Sequence, residues 1–190
     1  YPKLPQLIKY LKTIPATKSI FLVTNGQEPD MLQRLQDEDA LPTQLYLSTN
    51  APNEQVFQMV NKPKYKDSWK RWNASLEMLS KMNTRTVLRI TLIRDYNSGD
   101  ELIPEYAKMF KQANPHFIEL KSYMHVGRST NRLEYSNSLE MDEVRHFALE
   151  IVNKSEIFSV MDESIMSRIV VLQNQKRFID RLIPAYVNTN

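Results

Sequence analysis

The chain has 190 residues, a formal net charge of +3 and no cysteine. That length suits one domain with a real core, burying roughly 70% of the surface of the unfolded chain, while the lack of Cys excludes disulfides and Cys-ligated zinc or iron–sulfur centres built from these residues. The mild positive balance permits a polyanionic partner without demanding one; with no apolar run of about 18 residues and no signal-peptide pattern, the expectation is a cytoplasmic chain with no membrane partner.

In chain order, Leu4, Leu7, Ile8 and Leu11 mark one face of a helix. A strand over Ser19–Asn25 follows, broken by Gly26 and Pro29, and Met31, Leu32 and Leu35 give a short helix with Glu28 and Asp30 near its positive end. Next come a strand over Gln44–Asn50 and a helix capped by Asn53 that uses Val56, Met59 and Val60 and ends at Pro63. Trp69, Trp72, Leu76 and Leu79 form another helical stripe, read as core packing, before the strand Thr86–Ile93. Asn97-Ser98-Gly99 is a turn; Ile103, Tyr106, Ala107 and Phe110 face inward from the next helix, and Asn114-Pro115 precedes the strand Phe117–Val126. A polar loop, Gly127–Asn137, leads to a helix with Ser138 as cap and Val144, Phe147, Ala148 and Ile151 inward. The pieces Ile157–Met161 and Ser167–Gln173 are β-like, and Val187–Asn190 reads as a frayed end.

Such alternation argues for parallel strands with right-handed crossovers, either a doubly wound sheet or a βα barrel. Strand parity chooses between them. Val87, Arg89 and Thr91 share one face of their strand, Gln44, Tyr46 and Ser48 one face of theirs, and Glu119, Lys121, Tyr123 and His125 a third. Strands buried on both sides read as nearly continuous apolar runs, so a polar side on each of three strands implies an inner, partly wet surface. A barrel, or an incomplete barrel with a lined lumen, offers one. Polar groups at the carboxyl ends of its strands are where βα folds place their sites.

Several segments taken together resemble the radical S-adenosylmethionine (SAM) family: Phe21-Leu22-Val23-Thr24-Asn25-Gly26, Gln44-Leu45-Tyr46-Leu47-Ser48 with Ala51-Pro52, Arg85-Thr86-Val87-Leu88-Arg89-Ile90-Thr91-Leu92, and Phe117-Ile118-Glu119-Leu120-Lys121. Asn61-Lys62-Pro63, Trp69, the loop from Val126-Gly127-Arg128-Ser129 through Asn131-Arg132-Leu133, and Ser167-Arg168-Ile169-Val170-Val171-Leu172 narrow the resemblance to the tRNA 4-demethylwyosine synthases. It covers about Tyr1 to Leu172. The resemblance implies a partial (βα)6 radical-SAM barrel, with residues 1–175 holding strands 3 to 6 of the family barrel plus a C-terminal extension, and 176–190 a tail. It also implies an activity: formation of 4-demethylwyosine from N1-methylguanosine and pyruvate in phenylalanine tRNA, next to the anticodon. The family's CxxxCxxC loop, which holds the [4Fe–4S] cluster that cleaves SAM, is absent, as are the cysteines of its second cluster. The Gly-Glu-Pro segment at the second strand tip is followed in the family by Tyr-Pro, and this chain opens with Tyr1-Pro2. The expectation is a fragment that begins just beyond that motif, inactive by itself, with the cluster confined to the parent protein.

Residue by residue, the resemblance implies SAM contacts from Thr24, Asn25, Ser48, Arg89 and Thr91, with the Arg89 guanidinium on the SAM carboxylate. Lys121 would hold an anion such as pyruvate, kept protonated by Glu119 two residues away in preference to forming a Schiff base. Glu119 and Tyr123 would line the substrate side, with Arg128 and Arg132 on the RNA. Each has a plainer competitor: Thr24 and Asn25 as turn formers before Gly26, Ser48 as a satisfied hydroxyl, and Arg89 as a structural ion pair with Glu119. His116, His125 and His146 show no ligand spacing, so no metal site is expected. Two basic regions suit RNA: Lys62, Lys64, Lys66, Lys70 and Arg71 around Tyr65, and Arg128, Arg132 and Tyr135 in the loop at the site end. A radical SAM enzyme for a small-molecule substrate, and a non-catalytic α/β binding module, are the competing readings.

Overall fold

A computed structural model describes residues 1–183. Four strands, β1 (Phe21–Thr24), β2 (Gln44–Ser48), β3 (Arg85–Leu92) and β4 (Phe117–Ser122), lie side by side in parallel. β5 (Phe158–Ser164) and β6 (Ile169–Asn174) form an antiparallel hairpin that joins the β4 edge, giving the order β1-β2-β3-β4-β6-β5. The sheet stays open, as expected for part of a barrel, and β1 and β5 are its edges. Phe21 and Val23 stand half exposed on β1, a strand edge of the kind that pairs readily with another chain.

The helices pack on one face only. They are α1 (Leu4–Thr13), α2 (Pro29–Asp37), α3 (Glu54–Asn61), α4 (Ser68–Leu79), α5 (Ile103–Ala113) and α6 (Met141–Ser155). Proline in the first turn of α1, α2 and α5 removes no intrahelical hydrogen bond there, and the Asn53 side chain caps α3 by accepting from Val56 N–H at 2.9 Å, as the sequence predicts. Against this layer the sheet presents Leu45, Leu47, Leu88, Ile90, Leu92, Ile118, Leu120, Val170 and Leu172, all buried with Trp72, Phe110 and Phe147. The apolar stripes hold with local exceptions: Met59 is 43% exposed and Phe57 takes its place in the core, while Leu7 points to water.

Two boundaries differ from expectation. Ser138 does not cap α6; Glu140 does, in a reciprocal box in which its backbone N–H donates to Glu143 Oε2 at 2.7 Å. The last parallel strand stops at Ser122, four residues early, because the backbone turns there into the loop that carries Tyr123 to Val126. The frayed end Val187–Asn190 lies outside the described residues.

The amino ends of β3 and β4 are sealed. Arg177 donates to three backbone carbonyls, those of Leu79, Met82 and Asn114, and buried Arg85 donates to the carbonyls of Asp180 and Arg181. His116 sits in this layer with Nδ1 accepting from Thr86 N–H at 3.1 Å, so that nitrogen carries no proton. Burial, then the charges of Arg177 and Arg85, hold its pKa down at about 4. The unfolded imidazole takes up a proton near pH 6.5, so the contribution is complete above that pH and is lost as pH falls toward 4. Unfolding in urea should show a stability loss on the order of 1–2 kcal/mol between pH 7 and pH 4.5, the full shift being reduced by solvent screening. His116→Asn, which keeps an acceptor for Thr86, should flatten that pH dependence; an equal slope in the variant would assign it to other groups.

Candidate functional site at the carboxyl ends of the strands

Register builds the uncovered face in layers. Gln44 and Arg85 pair at the bottom; Val23, Tyr46, Val87 and Phe117 come next; Ser48, Arg89 and Glu119 form the third layer, and Thr91 and Lys121 the fourth. The polar content therefore rises toward the carboxyl ends, where the bottom seal gives way to two clefts.

The first cleft, of about 530 Å³, is lined by Asn25, Gln27, Glu28, Ser48, Phe57, the segment Asn61–Tyr65 and Asn50. Its position rests on the turn after β1. Gly26 has φ +72°, and a Cβ there would stand 2.7 Å from Leu47 Cδ1 and 3.1 Å from Trp72, so both backbone and space require glycine. Thr24 Oγ1 accepts from Gly26 N–H at 3.1 Å, and Asn25 Oδ1 accepts from Gln27 N–H at 3.2 Å. Thr24 lies in register with Leu47 on the helix-covered side and does not reach either cleft; Asn25 does. Trp72, stacked on Trp69 at 5.1 Å, donates from Nε1 to the Ser48 carbonyl, fixing the tip of β2 and leaving the Ser48 hydroxyl without a hydrogen bond among the described residues.

The second cleft, of about 500 Å³, gathers Arg89, Thr91, Lys121, Tyr123, Ser129 and Arg132. Arg89 grips Glu119 through two nitrogens, Nε to Oε1 at 2.8 Å and Nη2 to Oε2 at 3.3 Å, and its guanidinium lies over the Tyr46 ring at 4.6 Å. Burial, and after it the Glu119 charge, raise the Tyr46 pKa, so the phenol stays neutral under the guanidinium. This pairing corrects the expected Glu119–Lys121 contact. Directly opposed residues on neighbouring strands are about 4.8 Å apart, whereas positions i and i+2 on one strand are about 6.6 Å apart, and Glu119 is the register partner of Arg89. The Lys121 side chain is left with no ion pair or hydrogen bond among the described residues. Tyr123, only 4% exposed, reaches the cleft from the loop and not from a strand.

Asn50 and Asn61 line both clefts and divide them. Asn50 Nδ2 donates to Asn61 Oδ1 at 3.2 Å and its Oδ1 accepts from Thr91 N–H at 3.1 Å. Behind it, fully buried Asn97 donates to the carbonyls of Asn50 and Thr91 and accepts from Ile93 N–H at 2.6 Å. Sequence reading treats Asn97 as a turn former and passes over Asn50; the signal that was present is Asn at the ends of two consecutive strand segments. Both basic regions border the mouth: Lys62, Lys64 and Tyr65 edge the first cleft, Arg132 lines the second, and Arg128 is exposed in the same loop. A larger cleft of about 690 Å³ between the loop after β3 and α6 is lined by Asp95, Asp100, Glu101, Asp142 and Glu143, a sign unsuited to an anionic ligand.

A family model described as wyosine base formation matches residues 112–174, from the end of α5 through β6. The tRNA 4-demethylwyosine synthase of Pyrococcus abyssi is 40% identical over 153 residues, covering 80% of this chain and 44% of the relative. That of Methanocaldococcus jannaschii is 36% identical over 180 residues, covering 95% of this chain and 54% of the relative. The chain is a homologue of part of the tRNA 4-demethylwyosine synthases. Two solved structures agree. A structure of TYW1 with a lysine-pyruvate adduct bound superposes with TM-score 0.81 at 34% identity, and archaeal TYW1 with 0.74 at 31%; each time 94% of this chain matches 54% of the other. The chain thus spans about half the length of these relatives. Among the described residues no helix is long and apolar enough to cross a membrane.

Proposed function

We propose that the chain supplies the strand-tip part of the active site of a SAM-dependent synthase that builds 4-demethylwyosine from N1-methylguanosine and pyruvate in phenylalanine tRNA, in the cytoplasm. The observation that carries this reading is the pair of adjoining clefts at the carboxyl ends of β1 to β4, one lined by amide and hydroxyl groups with Glu28, Lys62 and Lys64 among them, the other by the cations Arg89, Lys121 and Arg132.

The first cleft fits a nucleoside with an amino-acid arm: Asn25, the unengaged Ser48 hydroxyl and Asn61 offer donors and acceptors above an apolar floor of Phe57. Bound SAM supplies radical chemistry once it is reduced. From the side of the second cleft Arg89 would hold the SAM carboxylate, its Nη1 carrying no hydrogen bond among the described residues, while Glu119 and Tyr46 keep the guanidinium oriented. The partner carboxylate also cancels most of its charge, so Arg89 acts by directed hydrogen bonding more than by long-range attraction. Thr91 contributes at the boundary between the two clefts.

Lys121, in the second cleft, holds the carboxylate of pyruvate as an ammonium; with Glu119 engaged by Arg89, its charge remains available to a ligand. A lysine-pyruvate adduct is bound in the related TYW1 structure. Tyr123 closes the cleft beside Lys121, and Arg128 and Arg132 take RNA phosphates at its rim.

An iron–sulfur cluster does not fit this chain. It has no cysteine, and the described residues hold no group of three His, Asp or Glu side chains placed for a metal. The isolated chain should therefore not turn over. Nucleoside mass spectrometry of phenylalanine tRNA incubated with the full-length parent, SAM, pyruvate and a reductant tests the reading. The expected result is 4-demethylwyosine with the parent and none with this chain; tRNA left unmodified by a SAM-cleaving parent would overturn the assignment.

A further inference from the structure

The loop after β4 contains a feature that the cofactor and pyruvate assignments leave unused. Three rings run from the inside of the second cleft to the surface: Tyr123, His125 and Tyr135. Their centroids are 6.2 Å and 6.4 Å apart, each pair edge to face at 84°. The inner end is fixed. Tyr123 is 4% exposed, and its hydroxyl contacts His125 Nδ1 at 3.2 Å and donates to Ser129 Oγ at 3.2 Å, Ser129 in turn donating to the Val126 carbonyl at 2.7 Å.

The outer end is presented to solvent on an anchored backbone. Tyr135 is 67% exposed and opens the 3₁₀ turn Tyr135–Asn137. Asn137 ties that turn down, accepting from Glu134 N–H at 2.8 Å and donating to the Arg94 carbonyl at 3.2 Å. A large ring left in water, with a histidine ring packed edge to face against it and its backbone held, loses little conformational freedom when something stacks on it. The same loop carries Arg128 and Arg132, and Arg132 also lines the cleft that holds Lys121. An exposed aromatic ring in a loop that also carries two arginines suits an unstacked nucleotide better than an apolar protein segment, because the ring takes the base and the cations take its phosphates.

We propose that Tyr135, braced by His125, is a stacking platform for a nucleotide splayed out of an RNA loop at the entrance of the second cleft. The platform rests on the tRNA reading above and adds to it a specific contact. Chemistry on a base inside a folded RNA requires that base to leave its stack, and a ring at the cleft mouth offsets part of the lost stacking. Tyr135 touches the nucleic acid near the reacting base and is a positioning residue.

Binding of a short RNA hairpin with 2-aminopurine in its loop to the 190-residue chain, read by fluorescence over a series of salt concentrations, tests the platform. The intact chain should quench the probe on binding. Tyr135→Ala should weaken binding roughly 5- to 100-fold, with the quench lost and the salt slope unchanged, and Tyr135→Phe should behave as the parent residue. Arg128→Ala should instead reduce the salt slope by about 0.7 for a single-strand contact and keep the quench. If the chain binds the hairpin and Tyr135→Ala binds and quenches equally well, the platform is wrong and the RNA reading stands. If the unaltered chain binds no hairpin at low salt, the RNA reading of this surface fails and the platform falls with it.

Discussion

Asn97→Ala should lower the unfolding free energy by about 3–5 kcal/mol, the largest loss expected from any single polar truncation near the site. Asn97 is fully buried, and its side chain satisfies the Ile93 N–H and the carbonyls of Asn50 and Thr91. Alanine leaves all three without that partner, and each buried group left unpaired costs about 1–3 kcal/mol. The damage is placed at the site as well. Asn50 is the divider between the two clefts, and its carbonyl is one of the groups released, so the tips of β2 and β3 lose their common tie. Denaturant unfolding measures the first effect and SAM titration of the full-length parent the second. A loss below about 1 kcal/mol would mean that water replaces the amide, and that Asn97 does not organise the strand tips.

The second large effect is expected at Arg89. Arg89→Leu should weaken SAM binding by roughly 1.5–3 kcal/mol in the full-length parent, the range for losing a hydrogen bond between charged groups. It should also destabilise the fold by about 2 kcal/mol, because Glu119, whose side chain is 13% exposed, keeps its charge without its partner. These two effects separate in the double variant. Arg89→Leu with Glu119→Gln removes both charges, so stability should recover in part while SAM affinity stays low. Recovery of both together would make Arg89 a structural ion pair only, and calorimetry alongside urea unfolding distinguishes the outcomes.

What was legible in the sequence was the layer structure. Apolar stripes at helical spacing located α1 to α6, since a helix that packs on one face must write that face into its pattern. The alternation Val87, Arg89, Thr91 against Leu88, Ile90, Leu92 told which side of the sheet is wet. Residue identity could not tell which cation Glu119 meets. Arg89 and Lys121 lie on the same face, and only the strand register, a long-range property, makes Arg89 the neighbour. Thr24 shows the same limit: at the tip of a four-residue strand, one position of parity separates a ligand contact from a turn bond to Gly26 N–H. Asn97 reads in the sequence only as a turn residue and Asn50 only as a strand end, because the bond that joins their two loops spans 47 residues.

Hydrogen exchange on the full-length parent, with and without SAM and pyruvate, tests most directly whether the strand tips are the site. Ligand-dependent protection should concentrate at Asn25–Glu28, Ser48–Asn50, Arg89–Ile93 and Lys121–Leu133, and the sealed amino ends around Arg85, His116 and Arg177 should not change. Protection centred instead on the acid-lined cleft, at Asp95–Glu101 and Asp142–Phe147, with the strand tips unaltered, would contradict the placement.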